Sequence, residues 1–383
     1  MLGVIITILL TLITIYLVYL SIRKGSQPKP VEKPVPKIKE EKVIASKPEK
    51  HKKPQKTIPM PMESAEFSMN VGSSTPLCMS FSENGEYIIV PLRNRYQVLF
   101  SIESLTEKKS AVARYKLVDD NIVDCKLLSH PSLQVVFALD RSKSIRSFIL
   151  DPINENYQPG KFSIMNASKI MLDKIVVPCD LSYVAALGDE TYLSVFLPDG
   201  KPLFRTDTRQ VKNEELSVSS DSDFFAASSS TAEIVAYGIR RGRDNLPQKI
   251  EKAFSVSGHR NLVRALHFHP AQKQVVTGSD DGTIRITQTP HLWSEGDNFV
   301  KPLGSFDIEN KEPAKFVRIS SNDSIAVLTE SQKLLIYQRE KLVKTIKHPH
   351  NEPISQIEWT PDGKYIVVLS TSSPFIYSYA NPC

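Results

Sequence analysis

The chain has little tryptophan and little cysteine. Only Trp293 and Trp359 occur in 383 residues, and only four cysteines, Cys78, Cys125, Cys179 and Cys383. The cysteines have no close spacing, so they form no C-x-x-C redox pair and no pattern of a disulfide framework. Catalytic signatures are missing too. There is no phosphate loop of the G-x-x-x-x-G-K type, no G-x-S-x-G nucleophile elbow and no H-E-x-x-H metal motif. No catalytic, cofactor-binding or metal-binding residue is therefore assigned, and the chain is read as a non-enzyme. His267 and His269 share one face of an expected strand and are the nearest approach to a metal pair; packed or surface histidines account for them better. Asp119-Asp120 reads as a solvated loop.

Charged side chains are absent from residues 2–22. That apolar run is long enough to cross a hydrocarbon core of roughly 30 Å as a helix. Tyr16 and Tyr19 stand where interfacial aromatics belong. A cleaved signal peptide fits poorly, because no basic segment precedes the run and no small-x-small cleavage site ends it. Arg23 and Lys24 follow the run at once, so the positive-inside rule expects the rest of the chain in the cytosol. Asn166-Ala167-Ser168 and Asn322-Asp323-Ser324 oppose this as glycosylation acceptors; the flanking charge outweighs them.

Residues 23–56 hold 12 Lys or Arg against four Glu, with six prolines. The whole chain carries only +6, so the residues beyond the tract are net acidic. The tract is too apolar-poor to form a core and too proline-rich for helix or sheet. It is either a solvated spacer or a polybasic tether that touches anionic lipid or RNA. It lacks the interleaved aromatics that stack bases. The expected organisation is a transmembrane anchor at 1–22, a disordered linker at 23–63 and a globular domain at 64–383.

In that domain, Gly258-His259 is followed by a short apolar strand and then by Gly278-Ser279-Asp280-Asp281-Gly282-Thr283-Ile284-Arg285-Ile286. Pro270 stops the first strand, 274–279 makes a second, and Asp281-Gly282 turns into a third whose apolar residues alternate. Fainter copies recur every 40 to 50 residues or so. Their strand cores begin near 75, 121, 174, 215, 314 and 354, with Asn84-Gly85 and Pro361-Asp362-Gly363 as further turn signals. Outer fourth strands are expected at 111–117, 162–165, 202–206, 251–256, 303–308 and 342–346. The last core has none after it, and 66–71 supplies one from the other end of the domain. The count is seven blades, with six or eight open because the second and third copies are faint.

These features resemble the WD40-repeat family, and among its members the membrane-anchored transducin β-like proteins. The resemblance is most specific between Phe224 and Ile286. It implies an all-β, seven-bladed WD40-type β-propeller behind an N-terminal transmembrane helix. It implies a structural network of Gly258, His259, Thr277, Ser279, Asp281 and Gly282, in which His259 bonds Asp281 under the turn. Thr287-Gln288 departs from the family, standing where a Trp-Asp pair belongs. The resemblance further implies an endoplasmic-reticulum scaffold of the unfolded-protein and nutrient-stress response. Its protein partners would include a phosphorylated PERK-type stress kinase and translation machinery or RNA, with no DNA partner and no cofactor. The alternative is a guanine-nucleotide exchange factor for a small GTPase at the same membrane. Arg240, Arg241 and Arg243, expected in a loop after a third strand, form a basic cluster suited to acidic or phosphorylated partners; a solvated loop is the competing reading.

Overall fold

The computed structural model describes residues 67–103, 111–189, 191–208, 212–292, 299–347 and 352–382. The expected membrane helix, Arg23, Lys24, the linker and Trp293 lie outside the described residues. Among the described residues no helix is long and apolar enough to cross a membrane.

The described residues form antiparallel four-strand meanders. Strand β1 (Phe67–Asn70) stands apart and returns below. The first meander is β2 (Ser80–Phe81), β3 (Tyr87–Pro91), β4 (Gln97–Ser101) and β5 (Ala113–Tyr115). The second is β6 (Ile122–Leu128), β7 (Gln134–Leu139), β8 (Ile145–Asp151) and β9 (Asn156–Ile164). The third is β10 (Leu172–Val176), β11 (Val184–Gly188), β12 (Tyr192–Phe196) and β13 (Pro202–Asp207). An eight-stranded sheet follows. It joins β14 (Asn213–Val218), β15 (Phe224–Ser229), β16 (Ile234–Arg241) and β17 (Pro247–Val256) to β18 (Val263–Phe268), β19 (Gln274–Ser279), β20 (Thr283–Gln288) and β21 (Lys301–Asp307). Its two halves pair through β15 and β18 at Ser229 and Val263. Then come β22 (Ala314–Ile319), β23 (Ser324–Thr329), β24 (Lys333–Gln338) and β25 (Lys341–Lys347). The last sheet is β26 (Ile354–Trp359), β27 (Tyr365–Ser370) and β28 (Phe375–Ala380), completed by β1, whose Phe67 lies opposite Ser378. Pairing the two ends of the domain leaves β28 with no free edge.

Burial explains why each strand has its composition. The second strands β7, β11, β15 and β23 are buried at every position. They lie between neighbouring sheets, so both faces are covered and the sequence runs apolar without alternation. The fourth strands are the outer ones, and β13 and β21 have no buried position. Apolar clusters fill the gaps between successive sheets. Ile89, Leu99 and Tyr115 meet Leu127, Val135 and Phe137, for example, across the first two. The halves of the eight-stranded sheet pack in the same way, with Phe224, Phe254 and Val256 against Leu266, Phe268 and Val275. Each such side chain contributes about 1.5–3 kcal/mol of transfer free energy.

Gly85, Gly282 and Gly363 take φ of 72°, 74° and 70° at the three expected turns. Gly282 has a second constraint, because a Cβ there would lie 2.6 Å from the Lys311 carbonyl oxygen. Strand limits differ from expectation in places. The strand expected to begin near 75 shrinks to Ser80–Phe81 with an isolated bridge from Pro76 to Leu92. Pro76 has no amide to donate. The β16–β17 hairpin is longer than expected, pairing Arg240 with Lys249 and Arg241 with Pro247. Arg240 and Arg241 therefore lie on a strand, not in a loop.

Candidate functional site

The Gly258 repeat closes around a buried histidine. His259 Nε2 lies 2.8 Å from Thr277 Oγ1, and Nδ1 lies 3.3 Å from Asp281 Oδ2 and 3.1 Å from Thr283 Oγ1. Burial lowers the His259 pKa, against the pull of Asp281. The neutral ring satisfies all partners when Nδ1–H faces the carboxylate and Nε2 accepts from the Thr277 hydroxyl. Asp281 accepts from the amides of Arg260 and Thr283 at 2.8 and 2.9 Å. Burial opposes its ionisation, but these bonds and the Thr283 hydroxyl hold it below the usual range. Ser279 Oγ accepts from the Asp281 amide at 3.1 Å and donates to the Asn261 carbonyl at 3.2 Å. The structure thus brings His259, Thr277, Ser279 and Asp281 together around the Gly282 turn.

Other repeats carry the same tie in different chemistry. Asp189 accepts from the Ser168 hydroxyl at 2.5 Å and from the amides of Lys169 and Ile170. Elsewhere the partners are exchanged. Asp120 is not merely solvated, because it accepts from Ser142 Oγ at 2.8 Å and from the amides of Arg141 and Ser142. Glu312 likewise takes the Ser331 hydroxyl and the Lys333 ammonium. A second device was not legible as a motif. Ser82, Ser219, Ser320 and Thr360 each accept the amide five or four residues on with their own hydroxyl, closing the hairpin after the innermost strand. Each is followed two residues later by Asn or Asp.

The three arginines do not act as one cluster. Arg241 Nη2 meets Asp180 at 3.0 Å and Nε meets Asp223 at 3.4 Å. Its guanidinium also donates to the carbonyls of Ser222 and Asn245. Arg241 therefore ties β11's approach to the β14–β15 turn. Arg240 and Arg243 remain exposed. His267 and His269 also diverge. His269 Nδ1 accepts from the amides of Ala271 and Gln272, and Nε2 lies 3.0 Å from Asp323. No group of three or more His, Cys, Asp or Glu fit to hold a metal occurs among the described residues.

His267 instead faces a cavity of about 490 Å³ lined by the innermost strands. Side chains there staple five of the innermost strands to the next. Ser80 Oγ accepts from the Leu127 amide and Asp124 from the Ile175 amide, both at 2.9 Å. Ser217 Oγ accepts from the Phe268 amide at 3.1 Å, and His267 Nδ1 from the Ile319 amide at 3.4 Å. Gln356 closes the series, accepting from the Met79 amide and donating to its carbonyl, each at 2.9 Å. In each of the five amide contacts the accepting side chain lies one innermost strand before the donating amide, Gln356 passing from the last strand back to the first.

Charges of both signs line the cavity. Arg318 Nε meets Glu358 at 2.8 Å and Nη2 meets Glu215 at 3.4 Å, with both the Arg318 and Glu215 side chains 5% exposed. Glu215 raises the Lys174 pKa against the cost of burial, while burial raises that of Asp124. Burial and Arg318 push His267 down to about 3, so it is neutral near pH 7. Sequence reading missed this constellation because its members are spaced by whole repeats. The signal was a charged residue within an otherwise apolar innermost strand, as in Lys174, Glu215 and Arg318.

The WD domain, G-beta repeat model matches residues 250–287, the repeat built around His259. Transducin beta-like protein 2 from Homo sapiens is 20% identical over 76% of this chain and 66% of its own length. The chain thus spans just under two thirds of that relative. The Mus musculus protein of the same name is 20% identical over 83% of this chain and 72% of its own length. Ribosome biogenesis protein BOP1 from Rattus norvegicus is 23% identical over 35% of this chain and 22% of its own. The chain is therefore an all-β propeller with a WD40 repeat, similar along most of its length to transducin beta-like protein 2.

Proposed function

We propose that this chain is a membrane-tethered, non-enzymatic scaffold that binds proteins through a seven-bladed propeller on the cytosolic face of the endoplasmic reticulum. The observation that carries the scaffold reading is the commitment of the cavity's polar groups to architecture. Ser80, Asp124, Ser217, His267 and Gln356 each hold a neighbouring strand. Groups so occupied rigidify a ring and leave its surface to recognise partners. Seven blades follow if the eight-stranded sheet is counted as two, since its halves share one residue pair and pack face to face.

The uncharged run at 2–22 and the basic residues after it support the tether and its orientation. The two glycosylation tripeptides at Asn166 and Asn322 weigh against this orientation, and the flanking charge outweighs them. The partners proposed are a phosphorylated stress kinase and translation machinery or RNA, the basic linker serving the latter. Proximity labelling of the full chain, against a variant lacking residues 1–22, tests this. Kinase and translation proteins labelled only by the full chain are the expected result. A glycosidase-sensitive mass at Asn166 or Asn322 defeats the topology. Accelerated nucleotide release from a small GTPase defeats the scaffold-only reading.

A further inference from the structure

The place left by the missing tryptophan is a pocket. Thr287 lies on β20 where the repeat pattern calls for the indole, and it is 5% exposed. Beside it opens a cavity of about 600 Å³ between β17 and β20–β21. Arg285, two residues earlier on the same face of β20, also lines it. Its Nε is buried and has no hydrogen-bond partner among the described residues. A buried guanidinium nitrogen without an acceptor is costly and demands an explanation. The backbone makes room for this one. Gly258 has φ 114°, and a Cβ there would lie 2.8 Å from Arg285 Nη1. Lys252, Ser255, Ser257 and Glu233 complete the polar lining, and Val300 and Pro302 give it an apolar wall.

We propose that this pocket binds a small monocarboxylate, whose oxygens accept from the Arg285 guanidinium while its apolar body rests on Val300 and Pro302. Three considerations select that ligand. The planar fork of arginine matches a carboxylate in a bidentate arrangement. The ionisable lining, Arg285 and Lys252 against Glu233, sums to a single positive charge, which one carboxylate neutralises and a phosphate dianion exceeds. The cavity volume falls within the range of small-molecule sites, and the Ser257 and Thr287 hydroxyls add acceptor-satisfying donors. The site lies on the outer strands, away from the stapled cavity, and does not depend on the scaffold reading.

The test uses the full chain in neutral detergent, with ligand-observed NMR and calorimetry at pH 7.5. The probes are acetate, phenylacetate and inorganic phosphate. Phenylacetate should bind more tightly than acetate, and phosphate more weakly than either. Arg285→Met should weaken phenylacetate by about ten-fold or more, the loss of a charge-assisted bidentate contact. Thr287→Trp refills the pocket and should abolish binding while the melting temperature holds or rises, which separates loss of the site from loss of the fold. Lys252→Ala, at an exposed position, should weaken binding by a smaller factor and provides a reading if Arg285→Met does not fold. The proposal is overturned if no carboxylate binds, if phosphate binds best, or if the folded Thr287→Trp protein binds phenylacetate as the parent does.

Discussion

Replacing Arg318 with Met should destabilise the propeller by about 3 kcal/mol, at the low end for breaking a buried ion pair. Arg318 is the hinge of the cavity's charge network. Its guanidinium faces Glu358 at 2.8 Å and Glu215 at 3.4 Å, and it donates to the Val317 carbonyl at 2.9 Å. Met keeps much of the volume but strands both carboxylates. Glu215 suffers more, because its side chain is 5% exposed and its Oε2 already has no hydrogen-bond partner among the described residues. Glu358 is 25% exposed and can recover hydration. Lys174 remains charged beside Glu215 and keeps the cost from reaching the top of the range. Urea unfolding of the full chain, followed by intrinsic fluorescence, measures the difference. Adding Glu215→Gln to Arg318→Met should recover at least half of the loss, because the uncompensated charge is then gone. A single variant within about 0.5 kcal/mol of the parent, the usual range for surface substitutions, would refute the buried network. So would a double variant less stable than the single.

The His267 ring gives a pH signature. Its folded pKa, about 3, lies below the unfolded value near 6.5, so the neutral ring's contribution is complete above pH 6.5 and is lost as pH falls toward 3. The slope is at most about 1.4 kcal/mol per pH unit, and His267→Gln should be less steep between pH 4 and 6 in denaturant titrations; identical slopes would defeat the assignment. His259→Ala removes contacts to Thr277, Thr283 and Asp281 and should cost about 2–3 kcal/mol, read as a lower urea midpoint with unchanged slope. The buried Cys78 and Cys125 thiols lie 3.4 Å apart, and burial pushes Cys125 well up, whereas Cys179 is exposed. Peptide mapping after native maleimide treatment should find Cys179 modified and the buried pair untouched until denaturant is added; native labelling of Cys125 at the rate of Cys179 would contradict this packing.

The strand period was readable because burial on both faces leaves a continuous apolar run, as in Gln134–Leu139 and Ser324–Thr329. The Gly282 turn was readable because it needs a residue tolerant of positive φ. The ties at Asp120, Asp189 and Glu312 were not, because a carboxylate and a hydroxyl can exchange ends of one hydrogen bond without leaving a fixed motif. Local periodicity and turn chemistry, then, were settled by the sequence alone, as were the uncharged run at 2–22 and the basic tract behind it. Tertiary structure decided which charges meet. Lys174, Glu215 and Arg318 converge only once successive innermost strands are brought side by side, and Arg241 turns from a surface cation into a tie between neighbouring sheets. It also decided that the absence of an indole at Thr287 leaves an open pocket beside Arg285, because whether a small side chain leaves a void depends on how the facing strands close around it.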